Sequence, residues 1–64
     1  MKMDFLYKGQ FVEGKMEGFG IKHFPNGNIY EGFFYDNKQH GQGLIKNSKG
    51  EVEIEGTWRM GVLI

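Results

Sequence analysis

Cysteine is absent from this 64-residue chain, and with it go disulfide bonds and thiolate metal sites. An excess of either charge is absent too. Eight Lys and Arg balance eight Asp and Glu, and each half of the chain carries four of either sign. A nucleic-acid binder shows a basic excess or stripe, so that class is set aside. No apolar stretch comes near the roughly 20 residues of a membrane span. The opening Met1 to Leu6 lacks the apolar core and small-residue cleavage site of a secretory signal, and a cytoplasmic location is expected. Proline occurs once, at Pro25. A chain this short buries only about 60% of its unfolded surface. Without disulfides or a metal it needs another source of cohesion.

What the chain has is glycine, eleven of them, and they fall into columns of a repeat about 23 residues long. Gly9, Gly32 and Gly56 form one column. Gly18 and Gly41 form a second, Gly20 and Gly43 a third, Gly27 and Gly50 a fourth. Gly14 and Gly61 form the last, with Asn37 between them. The aromatics keep step, with Phe11, Phe34 and Trp58 in one column and Tyr7 and Tyr30 in another, where Ile54 is the third member. The array comprises one domain over residues 1–64: units at 7–29 and 30–53, and a partial unit at 54–64. One residue is inserted near Glu51–Glu53. Residues 1–6 resemble the tail of an earlier unit. A period of this length marks a protein made by stacking small units.

Within each unit aromatics and glycines alternate, as in Tyr7, Gly9, Phe11. That is the strand period. Two glycines in every dozen residues argue against helix, at about 1 kcal/mol each relative to alanine. Pro25-Asn26-Gly27-Asn28 and Asn47-Ser48-Lys49-Gly50 read as tight turns. Glu13-Gly14-Lys15 and Asp36-Asn37-Lys38 read as a second class of turn, with Asn37 replacing glycine at positive φ. The spacing predicts an all-β chain with antiparallel strands near 5–12, 18–24, 29–35, 41–47 and 52–59.

Two faces follow. The ring face carries Tyr7, Phe11, Phe24, Tyr30, Phe34 and Trp58, with Gly18, Gly20, Gly41 and Gly43 opposite the rings to make room for them. Contacts among such rings add about 0.5–1.5 kcal/mol each. The outer face carries Lys8, Gln10, Glu31, Gln42, Lys46, Glu55 and Thr57, but also Val12, Phe19, Ile21, Phe33, Tyr35 and Leu44. One sheet cannot bury both faces alone.

Chemistry-bearing constellations are sparse. His23 and His40 lie far apart in sequence, outside any ligand-spaced cluster, and read as solvated strand or turn histidines. Glu51, Glu53 and Glu55 alternate on a terminal strand, where charge discourages edge-to-edge aggregation. Gly18-Phe19-Gly20 and Gly41-Gln42-Gly43 do not run into a helix or a Gly-Lys-Ser/Thr, so they are strand-packing glycines rather than phosphate loops. No catalytic residue, metal site or cofactor is expected.

Tyr-Lys-Gly-Gln-Phe-Val-Glu-Gly at Tyr7–Gly14, Gly-Phe-Gly at Gly18–Gly20 and the Pro25-Asn26-Gly27 turn together resemble the MORN repeat. So does the second unit from Tyr30 to Gly50. The resemblance covers residues 5–64. It implies consecutive β-hairpins in one elongated, twisted antiparallel sheet. It also implies a non-catalytic role in cytoskeletal, ciliary or membrane-junction scaffolds, or beside an enzyme as an accessory subunit. Partners on the ring face would meet Tyr7, Phe11, Phe24, Tyr30, Phe34 and Trp58. Acidic phospholipids are a further proposed ligand class of the family, one that calls for basic residues. This chain departs from the pattern at Phe19, Phe33 and Tyr35, where polar residues are usual, at Ile21, usually small and polar, and at Lys22, usually aromatic. Its outer face is thereby apolar, and Phe19, Ile21, Phe33, Tyr35 and Leu44 are expected to contact a protein partner or a second copy.

Overall fold

The computed structural model describes residues 6–64. The expectation that residues 1–6 continue an earlier unit lies outside the described residues up to residue 5. Six strands follow one another: β1 (Leu6–Val12), β2 (Lys15–His23), β3 (Ile29–Tyr35), β4 (Lys38–Lys46), β5 (Val52–Arg59) and β6 (Val62–Leu63). They form one antiparallel sheet in the order β1-β2-β3-β4-β5-β6, so among the described residues each strand pairs only with its neighbours in sequence. The body is a slab of 34 × 33 × 16 Å, one sheet thick with side chains on both faces.

The alternation of aromatic and glycine positions is realised as the expected strands, with differences at their ends. β2 and β4 begin three residues before the expected 18 and 41, and β6 is an additional strand. The reason is the turn chemistry. Glu13 and Gly14 have φ of 51° and 80°, Asp36 and Asn37 of 52° and 68°, and Met60 and Gly61 of 49° and 89°. Two consecutive positive-φ residues make the two-residue hairpin turn whose twist matches that of the flanking strands. The strands therefore resume at once, and a third such turn creates β6. The longer turns close as expected. Gly27 N–H donates to Phe24 O at 3.1 Å, and Gly50 N–H to Asn47 O at 2.9 Å. Asn47 Oδ1 further accepts from Lys49 N and Glu51 N at 2.9 and 3.0 Å.

One glycine column does different work from that expected. The β1–β2 register jumps from Gly9↔Gly20 to Phe11↔Met16, and the β3–β4 register from Gly32↔Gly43 to Phe34↔Gln39. Gly18 and Gly41 sit in these bulges at φ of 82° and 101°. A Cβ on Gly18 would run into Gln10 and one on Gly41 into Phe33, both on the outer face. These two are therefore bulge glycines. The rings of the opposite face owe their room to Gly20 and Gly43. The residue inserted near Glu51–Glu53 appears as an irregularity between Ile45↔Ile54 and Lys46↔Val52, which leaves Glu53 extra on β5.

The bulges start each new hairpin against the one before it. Asn37 N–H donates to Met16 O at 3.2 Å, and Gly61 N–H repeats the bond one unit later to Gln39 O at 2.7 Å. Asn37 adds what glycine cannot, because its Oδ1 accepts from Met16 N at 2.9 Å. In the later unit His40 Nδ1 takes that role for Met60 N at 3.1 Å. An exposed Lys15–Asp36 ion pair at 3.2 Å spans the same junction and contributes under about 1 kcal/mol. Asn37→Gly keeps the backbone conformation and loses the bond, for a cost of about 1 kcal/mol. Asn37→Ala loses the bond and also puts a poorly tolerated side chain at positive φ, raising the cost to about 2–3 kcal/mol. Urea denaturation of the two variants checks that order.

Candidate functional site

On the ring face the side chains form one continuous zigzag. Tyr7 meets Phe11 at 5.1 Å and Phe34 at 5.0 Å between ring centroids; Tyr30 meets Phe34 at 5.2 Å and Trp58 at 5.2 Å. Interplanar angles of 82–84° make all four contacts edge-to-face rather than stacked. Each tyrosine thus touches the aromatic residue of its own unit and that of the next. The rings reach across because nothing stands between them. Tyr7 lies over Gly20, and Tyr30 over Gly43, where any Cβ would collide with the ring. Each hydroxyl folds back onto its own strand, Tyr7 Oη donating to Gln10 O at 2.9 Å and Tyr30 Oη to Phe33 O at 3.1 Å.

The structure places Tyr30, Phe34 and Trp58 in the core, at 0, 3 and 4% exposure. Tyr7, Phe24 and Ile45 pack around them, with Lys22 Nζ lying 5.3 Å from the centre of the Phe24 ring. Phe11, at the open end of the zigzag, is 60% exposed. Met16 completes the core; it precedes the strand expected near 18–24 and so carries no face in the sequence pattern. Its pairing with Phe11 across β1 and β2, on the same face as Gly20 opposite Gly9, assigns it to the ring face once the strand begins at Lys15.

Burial pushes the Tyr7 and Tyr30 hydroxyls above their ordinary value of 10.0. An acid whose folded pKa is raised holds its proton longer when folded than when unfolded. Its contribution is complete below the unfolded value and is lost as pH climbs through the folded one. Stability is therefore expected to fall above pH 10, and Tyr7→Phe/Tyr30→Phe to flatten that alkaline limb. The double variant loses about 1 kcal/mol at neutral pH for each hydrogen bond removed. Thermal melts from pH 7 to 11.5 read both effects.

The outer face is arranged differently. Phe19 and Phe33 are cross-strand partners, their rings 5.6 Å apart at 78°. Tyr35 lies 5.8 Å from the His40 ring. Phe19, Phe33 and Tyr35 are 51, 48 and 53% exposed, whereas Ile21 and Leu44 are half-buried. All five stand on this face, and among the described residues no second layer covers it. Beside Phe19 a shallow groove of about 300 Å³ is lined by Phe19, Glu31, Gly32, Gln42, Gly43, Leu44 and Glu55. Lys46 pairs with Glu31 at 3.3 Å on its margin. The groove went unseen in the sequence because its walls come from four strands.

Neither histidine stands in a metal cluster: among the described residues no three His, Asp or Glu side chains gather as ligands. His40 accepts from the Met60 backbone, and His23 pairs with Leu6 and Ile29 in the sheet.

Comparison with known proteins identifies the units independently. The family model for the MORN repeat matches residues 7–29 and 30–52. Alsin from rat and Alsin from human are each 44% identical to the chain over 43 residues. That stretch covers 67% of this chain but 3% of the length of either relative.

Proposed function

The chain belongs to the MORN-repeat family, and from that premise we propose that it is a non-catalytic module that docks against protein within a larger assembly. The assembly is a cytoplasmic one, of the cytoskeletal, ciliary or membrane-associated kind. MORN repeats are interaction modules in general; the outer face supports the narrower reading. The observation that carries it is the Phe19–Phe33–Tyr35 patch, three aromatic side chains each about half exposed on a sheet that has no second layer among the described residues. Contiguous exposed aromatic surface marks an interaction site. On the ring face the core rings are occupied with one another, so contact there falls to exposed Phe11. Among the described residues β1 and β6 are the sheet's edges, and they offer backbone groups for strand addition as well.

Phe33→Ser/Tyr35→Ser tests the proposal. Both side chains are exposed, so the variant is expected to keep its stability to within about 1 kcal/mol while losing self-association or partner binding. Sedimentation of the isolated chain and native co-purification measure this. A wild-type chain that stays monomeric, and retains nothing the variant fails to retain, defeats the proposal. Flotation with acidic liposomes separates the lipid alternative, which salt-sensitive binding would favour. Glu31 and Glu55 on the outer face weigh against it.

A further inference from the structure

Taking the outer face as the docking surface, we infer that its partner inserts a basic side chain, with arginine the better fit, between Phe19 and Leu44 and pairs it with Glu55. The inference rests on the reading just given and adds the chemistry of the partner.

Glu31, Leu44 and Glu55 are cross-strand neighbours in one row over β3, β4 and β5. Two carboxylates therefore stand either side of an apolar residue, two strand spacings or about 10 Å apart at their backbones. Lys46 already neutralises Glu31 at 3.3 Å. Glu55 makes no ion pair among the described residues. The groove thus carries one uncompensated negative charge in a chain whose net charge is zero. Phe19 walls it on the β2 side, and paired Gly32 and Gly43 backbone lies in its lining. Its volume of about 300 Å³ lies at the bottom of the usual range for ligand sites, about 300–1,000 Å³. One long side chain fits that space.

Three kinds of occupant compare unequally. A phosphate or carboxylate group would face two carboxylates with a single lysine between them. An apolar side chain would cover Phe19 and Leu44, but would strip water from Glu55 and leave that charge without a partner. An arginine or lysine satisfies both halves of the groove, with its methylene stem on Leu44 and its head on Glu55. Phe19 adds a ring within reach of the cation. The planar guanidinium can also share its donors between Glu55 and the Gln42 amide oxygen, which favours arginine.

Selection of a random displayed dodecapeptide library on the purified chain tests the inference. The peptides recovered are then measured by titration against wild type, Glu55→Gln and Phe33→Ser. Glu55 is exposed, so Glu55→Gln removes the charge without disturbing the core. Enriched peptides are expected to carry arginine or lysine beside an apolar residue, to weaken with salt, and to bind Glu55→Gln at least tenfold more weakly. Peptides that need Phe33 but lack a basic residue, or that bind Glu55→Gln as well as wild type, overturn the inference and leave the docking surface standing. Recovery of no peptide that depends on Phe33 overturns both.

Discussion

Gly32→Ala is expected to cost at least about 3 kcal/mol, at the upper end of what overpacking does, while the same change at Gly56 costs under about 1 kcal/mol. The two glycines occupy one column of the repeat, so the contrast isolates their surroundings. A Cβ on Gly32 would lie 2.5 Å from Gly43 Cα and 2.6 Å from Gln42 O. Carbon atoms rest about 3.5–4.0 Å apart, and both obstacles are backbone. Relief requires β3 and β4 to separate at the centre of the sheet, which breaks their hydrogen bonds. The Tyr30 hydroxyl, 2.7 Å away, would be displaced too. At Gly56 the nearest atom is Leu63 Cδ1 at 3.1 Å, the end of a side chain free to rotate. Denaturant midpoints of the two variants decide the matter. Equal midpoints would show that the column is kept for the unfolded chain or the turns, not for close approach of strands.

Tyr30→Ala is expected to cost about 3–5 kcal/mol, the range for deleting a large buried ring. A domain of this size has roughly 0.05–0.15 kcal/mol of stability per residue. The loss therefore takes most of what holds the chain folded. Tyr30 is the fully buried member of the zigzag and joins Phe34 to Trp58. With it gone, Gly43 loses its cover and the second and third units lose their ring contact. Phe11→Ala removes a ring of comparable size from the exposed end, and about 1 kcal/mol is expected. Near-ultraviolet circular dichroism of Trp58 follows the same event, because its signal depends on the fixed position of the Tyr30 ring. A Tyr30→Ala chain that keeps both its Trp58 signal and its midpoint would show that backbone pairing alone holds the sheet.

Much of this architecture is legible in the sequence because each unit states the same pattern again. The alternation of Tyr30, Gly32 and Phe34 specifies a strand and says which side chains share a face. The strand ends were less legible. Met16 and Gln39 lie before the expected strand starts at 18 and 41, since Glu13-Gly14 and Asp36-Asn37 do not announce that both residues of each pair take positive φ. Gly18 and Gly41 looked like room for rings, because strict parity puts them on the ring face. A bulge breaks parity, and only the pairing shows where it falls. Asn37 was readable as a glycine substitute but not as the acceptor for Met16 N, since that bond joins different hairpins. The apolar outer face was plain from Phe19, Phe33 and Tyr35. The groove beside it was not, because Glu31, Leu44 and Glu55 come together only through register.

The sequence by itself determined that this is a repeat, that the repeat is a hairpin, and that one face holds rings over glycine. These are local facts, written in periods of two and about 23 residues. Tertiary structure decided which rings are spent on cohesion and which carboxylate is left without a partner. Both depend on what lies across neighbouring strands, and register there is set by bulges that interrupt the period of two and show only in the pairing.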